Sequence, residues 1–305
     1  MHSGLSDRTL FWVPTLIWAT TWHAILYQLG ETSALHSVAF RFGLASVMLF
    51  AIAHWRGEAV RLPKSVHAWL LLTGAVQYGL NYLCTYESER HLASGLVAVL
   101  FSLMIFTNAI GGSLFFGQHM TRRFWLSGAV GVVGIALIFW PDIVAARGDA
   151  SVLFGVALAL TAVTLASTGN MLTLRLTRQG TPLVPLLAWS MGYGAVTLMA
   201  IAMALQVEFH LDVRPGYWVS LFYLSGLGSV AAFLLYFKLA QRQGPGRAAL
   251  TGLVIPVIAL LVSAALEGWR PTPLSTAGIA LCLAGLWGAT RPAAAAPTAA
   301  TGSSA

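Results

Sequence analysis

Ten apolar stretches, each close to the length of a bilayer-crossing helix, follow one another along this chain with only short polar gaps between them. They fall near 10–29, 34–54, 66–86, 92–116, 124–140, 151–173, 183–205, 216–237, 247–266 and 274–290. A helix needs about 20 predominantly apolar residues to cross a hydrocarbon core. Inside lipid the backbone has only itself to bond with, so such runs predict helices. With 57% hydrophobic and 9% charged residues, the chain lacks the polar surface that a soluble globule of 305 residues requires. The expected fold class is an all-α integral membrane protein with ten transmembrane helices.

The gaps carry their own signal. Twelve Lys and Arg residues occupy one alternate set, from Arg8 through Arg56, Arg61 and Lys64 to Arg291, whereas the other set holds only Arg90, Arg147, Arg214 and Arg270. That second set carries eight of the ten acids, among them Glu31, Glu87, Glu89, Asp212 and Glu267. Because cytoplasmic loops retain Lys and Arg, this alternation predicts that both termini face the cytoplasm and that the number of crossings is even. It also accounts for the net charge of +7 without nucleic acid, since there is no basic run and no basic-aromatic interleave.

Several chemistries are disfavoured by what the sequence omits. Cys84 and Cys282 stand alone, so neither a disulfide framework nor a metal site is expected, and no cofactor is implied. There is no HExxH, no paired-Asp motif and no Gly-x-Ser-x-Gly with a plausible base, which argues against an intramembrane enzyme. Gly128, Gly131 and Gly134 lie inside an apolar run and not at a strand-to-helix turn, so close helix packing is the expected role, as for Gly278, Gly285 and Gly288. No Asp or Glu falls inside a span, and a proton-relay cation exporter is disfavoured on that ground.

The connector around Pro141 to Asp149 divides the ten runs into five and five. Two similar units of five helices in tandem must enter the membrane in opposite senses, a plan that puts a solute site between the halves near mid-bilayer. The expected organisation is therefore a first five-helix repeat over 1–145, an inverted second over 146–291, and a disordered tail over 292–305 rich in Ala, Pro, Thr and Ser.

Trp18-Ala19-Thr20-Thr21-Trp22 in the first run, the lone Arg41 in the second, the small-residue starts of the fourth and ninth, and the stretch from Pro256 to Glu267 resemble the EamA-type drug/metabolite transporter superfamily. Within it the chain is most similar to the YddG-type aromatic amino acid exporters. The resemblance implies two inverted five-helix halves, a central cavity and outward movement of amino acids or related metabolites. Departures include Ala19 for the family's glycine and Gln118 for its glutamate at the end of the fourth helix.

Candidate site residues follow from polar and aromatic side chains placed inside apolar runs. Gln77, Tyr78, Asn81, Tyr82 and Thr85 form one stripe along the third helix, read either as cavity lining or as a polar seam between helices. Trp18 and Trp22 are four residues apart, on one face and too deep to be interfacial anchors; they either clasp a flat ring or pack between helices. His23 is a titratable group beside them. Arg41 has two readings, capture of a carboxylate or a structural or gating tie, with the second favoured by its position a third of the way along its run. In the second half Thr161, Thr164, Asn170, Trp189, Ser190, Tyr193, Tyr223, Ser225 and Ser229 make the matching set, and Pro14 and Pro256 mark positions of potential bending.

The expected function is a secondary transporter of the bacterial inner membrane, exporting amino acids, aromatic ones preferred, by alternating access. An exporter of other small metabolites or of aromatic cations is the alternative. Partners are then a small solute and the bilayer, with no nucleic acid and a monomer sufficient to enclose a cavity.

Overall fold

A computed structural model describes residues 5–117, 121–145, 150–243, 248 and 251–290. The tail expected over 292–305 lies outside the described residues, as do Gln118 and Arg147. Ten helical segments make up the described chain: α1 (Asp7–Leu26), α2 (Ala34–Trp55), α3 (64–88), α4 (94–116), α5 (Arg122–Ala145), α6 (Ala150–Arg178), α7 (Leu183–Ala204), α8 (215–243), α9 (Thr251–Leu266) and α10 (Pro273–Thr290). Five of them, α2, α4, α6, α7 and α8, are by themselves long and apolar enough to cross a membrane. Leu114, Met203, Val219 and Leu261 are among the many large apolar side chains that point outward, a surface that belongs against lipid and would aggregate in water.

Local sequence sets the helix ends. Ser6 and Ser33 accept hydrogen bonds from the backbone N–H groups of Thr9 and His36, and Thr121 and Thr272 do the same for Phe124 and Ser275. Gly57, Gly117, Gly180 and Gly268 sit just past α2, α4, α6 and α9 with φ between 65° and 89°, the left-handed turn that glycine adopts without a steric penalty.

Several of the larger helix contacts repeat five helices on. α5 packs on α10 and α2 on α7; the pairs α3–α7, α1–α9 and α3–α6 have counterparts five helices on in α8–α2, α6–α4 and α8–α1. Both α3 and α8 contain a π-helical stretch, Gly74–Leu80 in one and Leu224–Ala231 in the other, at matching positions. Such stretches are rare and concentrate at functional positions, because a wider turn frees backbone groups and re-aims side chains. The α5–α10 contact is built on the predicted glycines: a Cβ added at Gly134 would stand 2.6 Å from the backbone of Gly278 and Cys282. One added at Gly285 would meet the Ser127 carbonyl at 2.6 Å.

The loops also sort into two ends. At one end, here called proximal, Arg242 of α8 donates to the Leu5 carbonyl beside the start of α1, and the Arg175 guanidinium of α6 lies 4.7 Å from the Trp69 ring of α3. At the other, distal end, the loop after α1 meets the loop before α8: Thr32 donates to the His210 carbonyl at 2.8 Å and accepts from the Asp212 N–H at 2.9 Å. The Arg214 guanidinium grips Asp212, with Nε 2.9 and 3.0 Å from its two oxygens, and holds that carboxyl below the usual carboxylate range. A depressed folded value adds stability above the unfolded value of about 3.9 that is lost as pH falls through the folded one. The difference in Tm between wild type and Asp212→Asn is therefore expected to persist at neutral pH and to vanish in strong acid.

Candidate functional site

Between the helices lies a cavity of about 110 Å³, lined by α1, α3, α4, α6, α8 and α9. Its walls are Trp18, Thr21, Trp22 and Ile25; Gln77, Asn81, Tyr82 and Thr85; Phe101, Ser102, Met104 and Asn108; Asn170; Phe233 and Tyr236; and Thr251, Gly252 and Pro256, with small apolar side chains between them. None of the described lining residues carries a charge. A cavity of about 150 Å³ takes a benzene ring, so this smaller one must widen to take an aromatic solute.

The polar stripe of α3 reaches this cavity because its amides and hydroxyls bond back along their own helix. Thr85 Oγ1 donates to the Asn81 carbonyl at 2.9 Å, and Asn81 Nδ2 donates to the Gln77 carbonyl at 3.0 Å. Only an N–H can meet that carbonyl, so the amide orientation of Asn81 is fixed and its Oδ1 is left buried without a partner. Gln77 Nε2 donates to Asn170 Oδ1 at 3.2 Å and Asn170 Nδ2 to the Met104 sulfur at 3.5 Å, tying α3, α6 and α4 together around the cavity. The Gln77 Oε1 is wedged against Gly169, where any β-carbon would collide with it.

The two tryptophans differ in freedom. Trp18 Nε1 donates to the Gly228 carbonyl at 3.1 Å, and its ring meets Phe233 and Tyr236, each 5.2 Å away, in edge and tilted contacts. Trp22 sets its ring 4.9 Å from Phe101, yet its Nε1 is buried with no partner. Asn108 Oδ1 is likewise unpartnered. Gln77 Oε1 is a fourth atom of this kind on a lining residue. A buried polar atom without a hydrogen bond costs about 1–3 kcal/mol, so these atoms around one cavity mark places where a solute group compensates. Beside them α4 is interrupted at Ser102–Leu103, with Ser102 Oγ donating to the Val99 carbonyl at 2.5 Å, an irregular backbone of the kind that lines cavities in membrane proteins.

Other residues singled out from the sequence lie away from the cavity. Tyr78 is fully buried against Phe42 and Phe233. Trp189 and Tyr193 stack on each other near the proximal end, where Trp189 Nε1 donates to the Val60 carbonyl and the Tyr193 hydroxyl meets His67 Nδ1 at 2.8 Å. Tyr223 bonds Thr20, and Ser229 Oγ donates to the Leu224 carbonyl across the π turn. Pro14 is buried within α1, while Pro256 lines the cavity from within α9. The cavity in turn contains Phe101, Phe233, Tyr236 and Asn108, which the sequence did not mark: aromatic residues in an apolar run look alike whether they face a neighbour or a void.

Arg41 is 1% exposed and faces the packed interior between α2, α3 and α8. Its Nε donates to Ser229 Oγ at 3.1 Å and its Nη1 to the Tyr86 hydroxyl at 3.4 Å, with the guanidinium carbon 4.5 Å from the centre of the Tyr82 ring. These are ties between helices, and Tyr82 links them to the cavity wall.

His23 turns away from the cavity toward the distal end, where its Nδ1 lies 3.0 Å from Glu267 Oε1. The same carboxylate accepts the Ser94 backbone N–H at 3.1 Å, the Ser94 hydroxyl, and the Ser263 hydroxyl at 2.8 Å. Glu267 thus caps the N-terminus of α4 from across the bundle, where the helix dipole favours an anion. Burial raises its carboxyl, but the bonds from Ser94, His23 and Ser263 outweigh that and hold it below the usual range. The sequence placed Glu267 and Glu89 in the gaps between apolar runs. The fold draws both inward over the cavity's distal end, with Glu89 5% exposed.

Comparison with known proteins agrees with this architecture. The chain is 23% identical over 246 residues to the uncharacterized transporter YyaM of Bacillus subtilis, 80% of each chain being covered. It is 26% identical over 283 residues to a probable biotin transporter of Pseudomonas aeruginosa, covering 90% of this chain and 94% of that one. It is also 25% identical over 264 residues to the inner membrane transporter YedA of Escherichia coli, covering 83% and 80%. A solved crystal structure superposes with a TM-score of 0.68 over 93% of this chain and 96% of its own at 16% identity, a likeness of fold. The profile of the EamA-like transporter family matches residues 9–140 and 153–291, nearly the whole helical chain, and the protein is a membrane transporter belonging to that family.

Proposed function

We propose that this transporter exports amino acids, aromatic ones preferred, through alternating access of two inverted five-helix halves. The observation that carries the reading is a ring-walled cavity with no charged lining residue, holding one unpartnered donor and three unpartnered acceptors, Gln77 Oε1, Asn81 Oδ1 and Asn108 Oδ1. A zwitterion has the complementary set: an ammonium for Asn81 Oδ1 and Asn108 Oδ1, a carboxylate for Trp22 Nε1, and a side chain for the walls of Trp18, Tyr82, Phe101 and Phe233. Net neutrality matters, because a solute with unbalanced charge would lose hydration without an opposite charge to replace it. An aromatic cation would find rings here but no carboxylate among the lining residues.

The inverted arrangement is supported by helix contacts that repeat five helices on, by the paired π stretches and by the family match in both halves. The charge alternation of the loops supports proximal loops and both termini in the cytoplasm, and so a distal end facing outward across a bacterial inner membrane. One chain encloses the cavity without a partner.

Proteoliposomes loaded with phenylalanine, tryptophan or threonine provide the test, with biotin as competitor because one relative bears that name. Saturable flux of an amino acid, strongest for the aromatic ones, is the expected result. Absence of saturable flux for all three removes the substrate assignment, and biotin flux alone reassigns the cavity to a carboxylated ring compound.

A further inference from the structure

At the distal end, where Glu267 ties the end of α9 to the start of α4 and to His23 of α1, two carboxyl groups lie in opposite circumstances. Glu267 is held by hydrogen bonds from Ser94, Ser263 and His23. Glu89, at the end of α3, is 5% exposed, and neither of its side-chain oxygens has a hydrogen-bond partner. The groups that face it are Arg41 from α2, Glu267 from the end of α9 with His23 of α1 bonded to it, and Tyr86 on its own helix. Arg41 does not neutralise it: among the described residues no ion pair joins them, and the guanidinium's bonds go to Ser229 and Tyr86. An ionised carboxylate in such a place would lose its water without any replacement, beside a second negative charge.

We propose that Glu89 is a proton-binding site of the transport cycle: closing the distal end loads one proton onto its carboxylate, and opening that end to water releases it. The proposal rests on the alternating-access reading and is independent of which solute is carried. In the closed state burial pushes the Glu89 carboxyl well above the usual carboxylate range, the Glu267 charge adds to this and the Arg41 charge opposes it. Once the closure parts, water reaches the group and its acidity returns toward the ordinary value of about 4.3. Below that value the proton is present in both states and closing is unhindered. Between the open-state and closed-state values, the closed-to-open ratio falls about tenfold per pH unit as pH rises. Protons supplied at the distal side therefore favour closure there and return of the cavity to the other side.

The test needs no substrate. Spin labels at Arg90→Cys and Arg270→Cys, exposed positions in the two loops bridged by the Ser94–Glu267 bonds, report the closure in nanodiscs once Cys84 and Cys282 are replaced by alanine. As pH is lowered toward the ordinary carboxylate value, the short-distance population is expected to grow with the slope given above. Glu89→Gln is expected to stay closed across the range and lose the slope, while His23→Gln keeps it. A slope that survives Glu89→Gln, or one that disappears with His23→Gln alone, overturns the proposal. Should Glu89→Gln not fold, infrared spectroscopy of the wild type decides: a protonated carboxylic acid band that persists above the ordinary carboxylate range supports the site, and its loss within that range overturns it. Either outcome leaves the amino-acid reading to be judged by flux alone.

Discussion

Asn81→Leu is expected to reduce saturable flux by about tenfold to a hundredfold while leaving the amount of folded protein in the membrane close to wild type. The side chain's own donor is spent on the Gln77 carbonyl one turn back, and its Oδ1 lines the cavity without a partner. A hydrogen bond from a charged solute group to such an acceptor is worth about 1.5–3 kcal/mol, and about 1.4 kcal/mol is a factor of ten. Leucine has similar bulk, and an apolar residue in place of a partly satisfied amide does not itself unfold a membrane helix. The measurement is initial rate against concentration in proteoliposomes, normalised to reconstituted protein. Unchanged flux would show that the cavity's polar side is not where the solute sits. Tyr78→Ala offers the contrast: that ring is buried between Phe42 and Phe233, so its removal is expected to lower thermal stability first and flux only in proportion.

The second large effect is structural. Gly134→Leu is expected to destabilise the protein by about 1–3 kcal/mol or more and to lower the yield of detergent-stable protein. A β-carbon at that position would lie 2.6 Å from the backbone of α10, and backbone cannot swing aside as the end of a side chain can. In lipid no hydrophobic force holds α5 to α10, so their association rests on close van der Waals approach at Gly134, Gly278 and Gly285. Thermal unfolding in mild detergent checks this, with Gly128→Ala as the control. A β-carbon there would meet only the Phe106 ring, at 3.3 Å, so a loss of Tm as large as that of Gly134→Leu would refute the packing argument.

Much of the fold could be read along the chain because bilayer helices are written in local terms. Length of apolar run located all ten segments, and differences arose mainly at the ends: α6 runs on to Arg178 and α8 to Gln243, several residues beyond their apolar stretches. Basic side chains in those last turns extend the helices into the polar zone, where hydropathy stops reporting them. The site was legible only in part. Trp18, Trp22, Gln77, Asn81 and Tyr82 do meet at the cavity, because a stripe on one helix face needs only the helical period to be recognised. Trp189, Tyr193 and Tyr223 carry the same residue types but pack at the proximal end or against α1. Residue type does not say which of several apolar neighbours a face will meet.

The sequence by itself determined that the chain is a bundle of apolar helices, along which stretches they run, and that glycine-rich faces would bring two of them close. These are properties of a single helix in lipid, decided by hydropathy, caps and the absence of a β-carbon. Only the tertiary structure decided that Glu267 would cap α4 from across the bundle and be held by several donors, while Glu89 was drawn inward with none. The reason is that burial and hydrogen-bond supply are shared among helices distant in sequence, so a loop acid's state depends on which neighbours arrive and how many donors remain.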